Sequence, residues 1–97
     1  MQFDAFKSSL AGAAPPANVS PAVQALWWQA KGDWHKAHRC CQDSHDETGA
    51  WAHAYLHRVE GDFSNAGGWY RRAGRPAATT PLPEEWETIA RALLSGR

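Results

Sequence analysis

Apolar residues recur every three or four positions through most of this chain, which is the spacing of one face of an α-helix. Phe3, Phe6 and Leu10 share a face in this way near the beginning. The last segment carries a longer apolar stripe, made of Trp86, Ile89, Ala90, Leu93 and Leu94. No window alternates apolar and polar residues as a half-buried strand would. The sequence therefore predicts an all-α protein.

Capping signals divide the middle of the chain into four predicted helices. Ser20 precedes a first-turn proline, and Asp33 and Asp62 each follow a glycine, so these three residues are predicted N-caps. Gly32 and Gly61 can take the left-handed conformation that ends a helix. The predicted helices run from Ser20 to Lys31, from Asp33 to about Ser44, from His45 to Glu60 and from Asp62 to about Ala73.

One turn occurs twice in the sequence. KGDW (residues 31–34) and EGDF (residues 60–63) lie 29 residues apart, and Ala37 pairs with Ala66 at the same offset. A sustained offset of this kind indicates stacked helical hairpins. We expect a single domain with four parts: a short helix and linker (1–19), a first hairpin (20–45), a second hairpin (46–76), and a linker with a C-terminal helix (77–97).

The second unit has a recognisable order of residues. GDFSNAGGWYRRAGRP (residues 61–76) contains a Gly-Asp-aromatic turn, an alanine, a tyrosine four residues later and another alanine three residues after that. This order resembles a tetratricopeptide repeat, and the likeness covers about residues 20–76. The resemblance implies hairpins whose first helices face a concave peptide-binding surface, with the terminal helices as caps.

Composition limits the kinds of partner. Ten basic and ten acidic side chains among 97 residues leave no basic excess for a nucleic acid or an anionic membrane surface. No apolar stretch has the length of a membrane span. The two cysteines are adjacent, which excludes a structural disulfide framework, and the first residues do not have the pattern of a secretion signal. We expect a cytoplasmic protein that binds neither nucleic acid nor membrane.

One face of the predicted third helix carries candidate binding residues. Trp51, Tyr55 and Arg58 share this face, and the resemblance places it on the concave side. Two aromatic rings beside a guanidinium suit recognition of a peptide or a carboxylate. The alternative is that Trp51 and Tyr55 pack against the helix of Trp86. The favoured function is non-catalytic binding of a protein or peptide, or self-association.

A glycine pair stands inside the predicted fourth helix. Gly67 and Gly68 each cost about 1 kcal/mol there relative to alanine. One explanation is close approach of another helix or chain, and the other is a backbone-lined ligand contact beside Trp69. We favour the first because glycine often marks close approach. Six tryptophans in a chain with two repeats also favour self-association.

His53, His57 and Glu60 form a further stripe on the third helix. Imidazoles and a carboxylate are ligands of transition metals, so the alternative function is a small metal- or ligand-binding protein, enzymes included. The zinc-protease pattern needs a glutamate beside the first histidine, where Ala54 stands. Spacing supplies no further ligand. The favoured interpretation therefore has no metal site and no cofactor.

The chain does not show the pattern of a catalytic site. Cys40 and Cys41 have His35, His38 and His45 near them in sequence. Such neighbours are common by chance on a short helix, and no residue is placed to orient a thiol–imidazole pair. We therefore expect no enzymatic activity.

Overall fold

The computed structural model describes residues 1–95, and its regular elements are all helical, which confirms the all-α prediction. The helices are α1 (Phe3–Ser8, followed by a 3₁₀ turn at Ser9–Ala11), α2 (Pro21–Ala30), α3 (Trp34–Gln42), α4 (Glu47–Val59), α5 (Phe63–Ala73) and α6 (Leu82–Leu94). Residues 96 and 97, the end of the predicted C-terminal segment, lie outside the described residues. Within the part of the chain that is described, no helix has the length and apolarity needed to cross a membrane.

The repeated turn has the same backbone in both places. The carboxylates of Asp33 and Asp62 each accept a hydrogen bond from the backbone N–H three residues later, at 3.0 and 3.2 Å. Gly32 and Gly61 have φ values of 85° and 86°. A Cβ at either position would meet no atom within 4 Å. The left-handed conformation, and not a lack of space, therefore requires glycine at these two positions.

Each turn joins two helices that pack on each other. We call α2 with α3 the first hairpin, and α4 with α5 the second hairpin. Small and aromatic residues at matching places fill their interiors, among them Ala37, Ala66 and Tyr70. The hairpins pack together where α4 lies on α3 and on α2. At this junction the indole Nε1 of Trp34 donates to the carbonyl oxygen of Leu56 at 2.8 Å.

The two terminal segments cover the first helices of both hairpins. α6 packs on α2 and on α4, and α1 packs on α6. Trp86 donates its indole N–H to the carbonyl oxygen of Leu26 at 2.8 Å, and the ring of Phe6 stacks on Trp86 with centroids 5.8 Å apart. The surface that the resemblance expects to be concave and open is therefore occupied by the chain's own C-terminal helix.

Candidate metal centre between the two hairpins

Three histidines meet where the hairpins pack together. His38 comes from α3, and His53 and His57 come from successive turns of α4. One ring nitrogen of each lies within 4.8 Å of the other two. The Nε2 atoms of His38 and His53 are 2.9 Å apart. We call these three residues the histidine cluster.

Helical spacing explains why the rings converge. His53 and His57 are four residues apart and therefore share a face of α4. Trp34 and His38 have the same spacing on α3, so the turn that begins α3 also places an indole beside its histidine. Because α3 packs on α4, the two faces are brought together.

Aromatic rings hold the cluster on both sides. Trp34 stacks on His38 with centroids 4.9 Å apart, and Trp69 of α5 stacks on His53 at 3.8 Å. His53 and His57 are also stacked, at 4.9 Å. Packing of this kind leaves each imidazole few alternative orientations. The cluster is therefore a preorganised set of nitrogen atoms.

Glu60 fixes the hydrogen position on His57. Its Oε2 lies 2.6 Å from Nδ1 of His57. Since a carboxylate accepts, Nδ1 carries a hydrogen, and in the neutral form of the ring the lone pair is therefore on Nε2. Glu60 is thus a positioning residue for His57. Asp62 also comes within 4.8 Å of this pair, but its carboxylate already caps α5.

Two rings of the cluster, those of His38 and His53, are uncharged at neutral pH. Burial, reinforced by the nearby His38 and His57, lowers the pKa of His53 to about 4. Burial and the neighbouring His57 also lower the pKa of His38. Both effects disfavour the imidazolium form. Two of the three rings therefore keep an available lone pair at pH 7 without competition from a proton.

The contact between His38 and His53 is a hydrogen bond between two neutral rings, in which one Nε2 donates and the other accepts. For both Nε2 atoms to bind an ion, the donating ring must carry its hydrogen on Nδ1 instead. This change of tautomer keeps the net charge of the cluster constant. Both Nε2 atoms can therefore become available to an ion by a shift of one hydrogen within its ring, without release of a proton.

The predicted binding face of α4 is covered. Trp51 and Tyr55 are 7% and 5% exposed. Arg58 donates from Nη1 to Oε1 of Glu85 on α6 at 2.8 Å, and its guanidinium also donates to the carbonyl oxygen of Thr80. The structure thus matches the alternative in which this face packs against the helix of Trp86. Trp51 and Tyr55 line two different clefts, of about 300 and 440 Å³, so the three residues do not share one open groove.

Trp69 is the predicted binding residue that lies at the cluster. One side of its indole stacks on His53, and the guanidinium of Arg72 lies 4.8 Å from the ring centroid. The same indole lines an open cleft of about 520 Å³, together with residues that include Gln42 and His45. Trp69 therefore lies between the cluster and this open cleft.

The cysteines stay apart from this chemistry. Cys41 is buried, and burial raises its pKa to about 12. Burial also raises the pKa of Cys40. Both thiols are therefore protonated at neutral pH, which disfavours them as nucleophiles.

Sequence reasoning missed two residues of the site, His38 and Trp34. The stripe that the sequence indicates, His53, His57 and Glu60, belongs to α4 and its C-cap, whereas the third imidazole comes from the neighbouring helix. A usable signal was present. Trp34 and His38 share the face of α3 that stacked hairpins turn toward the next unit, where His53 and His57 stand.

We compared the chain with models of protein families, with curated proteins and with solved structures, and none matches it. The tetratricopeptide resemblance of residues 20–76 therefore stays an expectation.

Proposed function

We propose that this protein binds a divalent transition-metal ion of the zinc, nickel or copper type through His38, His53 and His57. One observation carries the proposal: three imidazole nitrogens from two helices lie within 4.8 Å of one another, and two of the three rings are buried. Imidazole is a common ligand of these ions. Three protein ligands leave a further position for water or a small ligand.

The surroundings of the cluster support the proposal. Histidine ligands of metals usually donate their second N–H to a carboxylate or carbonyl, and Glu60 occupies this place on His57 at 2.6 Å. The partner fixes the tautomer and orients the ring. Trp34 and Trp69 hold the other two rings by stacking. A site of this kind loses little entropy when an ion enters.

Packing alone is a weaker explanation of the cluster. Burying polar rings costs free energy, and apolar side chains of similar size would fill the space without that cost. In addition, a purely structural cluster does not need the Glu60 carboxylate on His57. A metal-binding role accounts for the three rings and for the carboxylate together.

The favoured hypothesis from the sequence, a peptide-binding module, stays a prediction. The face that would hold the peptide is covered by α6, and Arg58 is already paired with Glu85. The alternative from the sequence named His53, His57 and Glu60. Our proposal keeps these residues, adds His38 as a ligand and assigns Glu60 to orientation.

The test is calorimetric titration of chelator-treated protein with zinc chloride. We expect one ion per chain with micromolar or tighter affinity. His38→Phe keeps a ring on Trp34 but removes a ligand, so it should weaken binding at least about 100-fold. Glu60→Gln should weaken it about 10- to 100-fold, the range seen for residues that orient ligands.

His35→Ala is the matched control, because His35 is an exposed histidine on the same helix. This variant should bind like the wild type. Circular dichroism of each metal-free variant separates lost binding from lost folding. The proposal fails if zinc binds no more tightly than to exposed histidines, or if folded His38→Phe binds with unchanged affinity.

A further inference from the structure

The outer face of α5 is open in this chain. We use this name for Phe63, Gly67 and Arg71, which follow one another at four-residue intervals and so form one stripe. Phe63 is 69% exposed. Arg71 is exposed and forms no ion pair with any described residue. Among the described helices, α4 is the one that packs extensively on α5.

Packing within the chain does not explain the glycines of this helix. A Cβ on Gly67 would meet only the Nη1 atom of Arg71, at 3.7 Å, and one on Gly68 only the Nη2 atom, at 3.8 Å. Both are ordinary contacts with the end of a flexible side chain. Alanine would fit and is a better helix former. The approach of a backbone from outside the chain explains why a residue without a side chain stands here.

The first hairpin shows how this face is used. At the repeat offset, Phe63 corresponds to Trp34 and Gly67 corresponds to His38. In the first hairpin these positions are covered by α4, and Trp34 donates a hydrogen bond to Leu56 there. The equivalent face of the second hairpin has no following unit in residues 74–95. It is therefore a surface of the kind that packs against a helix, but no described helix covers it.

We propose that a second copy of this chain covers this face, with α5 packed antiparallel on its own counterpart and a two-fold axis beside Gly67. The charges of the helix favour this occupant. Glu60 and Asp62 lie at the N-terminal end of α5, and Arg71 and Arg72 lie at its C-terminal end. Antiparallel pairing places acidic ends beside basic ends and also opposes the helix dipoles. Parallel pairing would place like charges together.

The two-fold axis also matches the side chains. Gly67 faces Gly67 of the second copy, so that the two backbones approach closely. Phe63 then lies opposite Arg71 of the second copy, and the reverse contact repeats it by symmetry. A guanidinium over an aromatic ring is an attractive pair. The face is therefore complementary to itself, as a two-fold interface requires.

The interface is small. A pair of short helices buries less than the roughly 1,200 Å² of a stable interface. We therefore expect a dimer that dissociates in the micromolar range. A chelator present throughout removes association bridged by metal ions, so this proposal and the metal site are tested separately.

Disulfide trapping locates the axis. In a background with Cys40→Ser and Cys41→Ala, Gly67→Cys should cross-link to itself rapidly under mild oxidation, because only a residue on the axis meets its own copy. Ser64→Cys is the matched control on the same helix, exposed but away from the axis. It should cross-link at least about 10-fold more slowly.

Sedimentation equilibrium measures the association of the unmodified chain. The wild type should be a micromolar dimer. Phe63→Ala should weaken the dimer at least about 10-fold, since hot-spot truncations have effects of this size. Gly67→Leu should weaken it as much, because its side chain keeps the two backbones apart. Circular dichroism confirms that each variant is folded. A wild type that stays monomeric at high micromolar concentration overturns the proposal. Equal cross-linking at positions 64 and 67, or an unweakened dimer in folded Gly67→Leu, also overturns it.

Discussion

Corresponding faces of the two hairpins differ in whether another helix covers them. On α3 this face carries Trp34 and His38, and the second hairpin covers it. On α5 it carries Phe63 and Gly67, and no described element covers it. Repeat position alone therefore does not decide whether a residue belongs to the core. The polar chemistry of the protein lies at the covered face, where burial lowers the histidine pKa values.

The largest expected difference between the two hairpins is the loss of stability when Trp34 or Phe63, at matching positions of the repeat, is truncated to alanine. Trp34→Ala removes a packed indole and its hydrogen bond to Leu56, so we expect a loss of about 3 kcal/mol in the free energy of unfolding. Phe63→Ala should change it by less than about 0.5 kcal/mol, since this ring is exposed. Urea unfolding of dilute, chelator-treated protein measures both. Similar losses would show that both faces are equally buried.

Lowering the pH should destabilise the folded chain through His53, which packs against the covered face of α3. The pKa of His53 is about 4 in the folded chain and near 6.5 in the unfolded chain. Below pH 6.5 the unfolded chain binds a proton that the folded chain does not, so stability falls as the pH falls toward 4. For metal-free protein we expect a loss of about 2 kcal/mol between pH 7 and pH 5.

His53→Phe keeps a ring against Trp69 and removes the titrating group. This variant should lose most of the pH dependence between pH 5 and pH 7. His45→Ala, a change at an exposed histidine, is the control and should keep it. An unchanged pH profile in folded His53→Phe would show that other groups cause the acid sensitivity.

Replacing glycine should lower stability at the turn and raise it on the outer face of α5. Gly61→Val places a β-branched residue at a φ of 86° and should cost more than about 1 kcal/mol. Gly67→Ala should stabilise the monomer by up to about 1 kcal/mol, because alanine is the better helix former and its Cβ meets ordinary contacts. Thermal unfolding of dilute protein reports both. A destabilising Gly67→Ala would mean that the monomer itself needs this glycine.

Local signals predicted the helices and their limits well. The caps at Asp33 and Asp62 and the turns at Gly32 and Gly61 depend on residues next to one another in sequence. The offset of 29 residues also depends on sequence alone. A cap or a turn is determined by a few neighbouring residues, and all of these residues can be read from one short stretch of sequence.

Contacts between distant segments were harder to predict. The sequence left open whether Tyr55 faces a groove or a helix, because periodicity does not tell where α6 docks. It paired His53 with His57 by spacing and overlooked His38, since a ligand from another helix depends on how two helices pack. The ion pair of Arg58 with Glu85 spans 27 residues and has no local signature.

The position of α6 has a consequence for the order in which the chain folds. The hairpins form from segments that adjoin each other, whereas the contact of Trp86 with Leu26 closes a loop of 60 residues. Contacts across long loops form late, so we expect α6 to dock after the hairpins have folded. While α6 is undocked, Trp51 and Tyr55 are exposed, and aggregation should compete with folding during that interval.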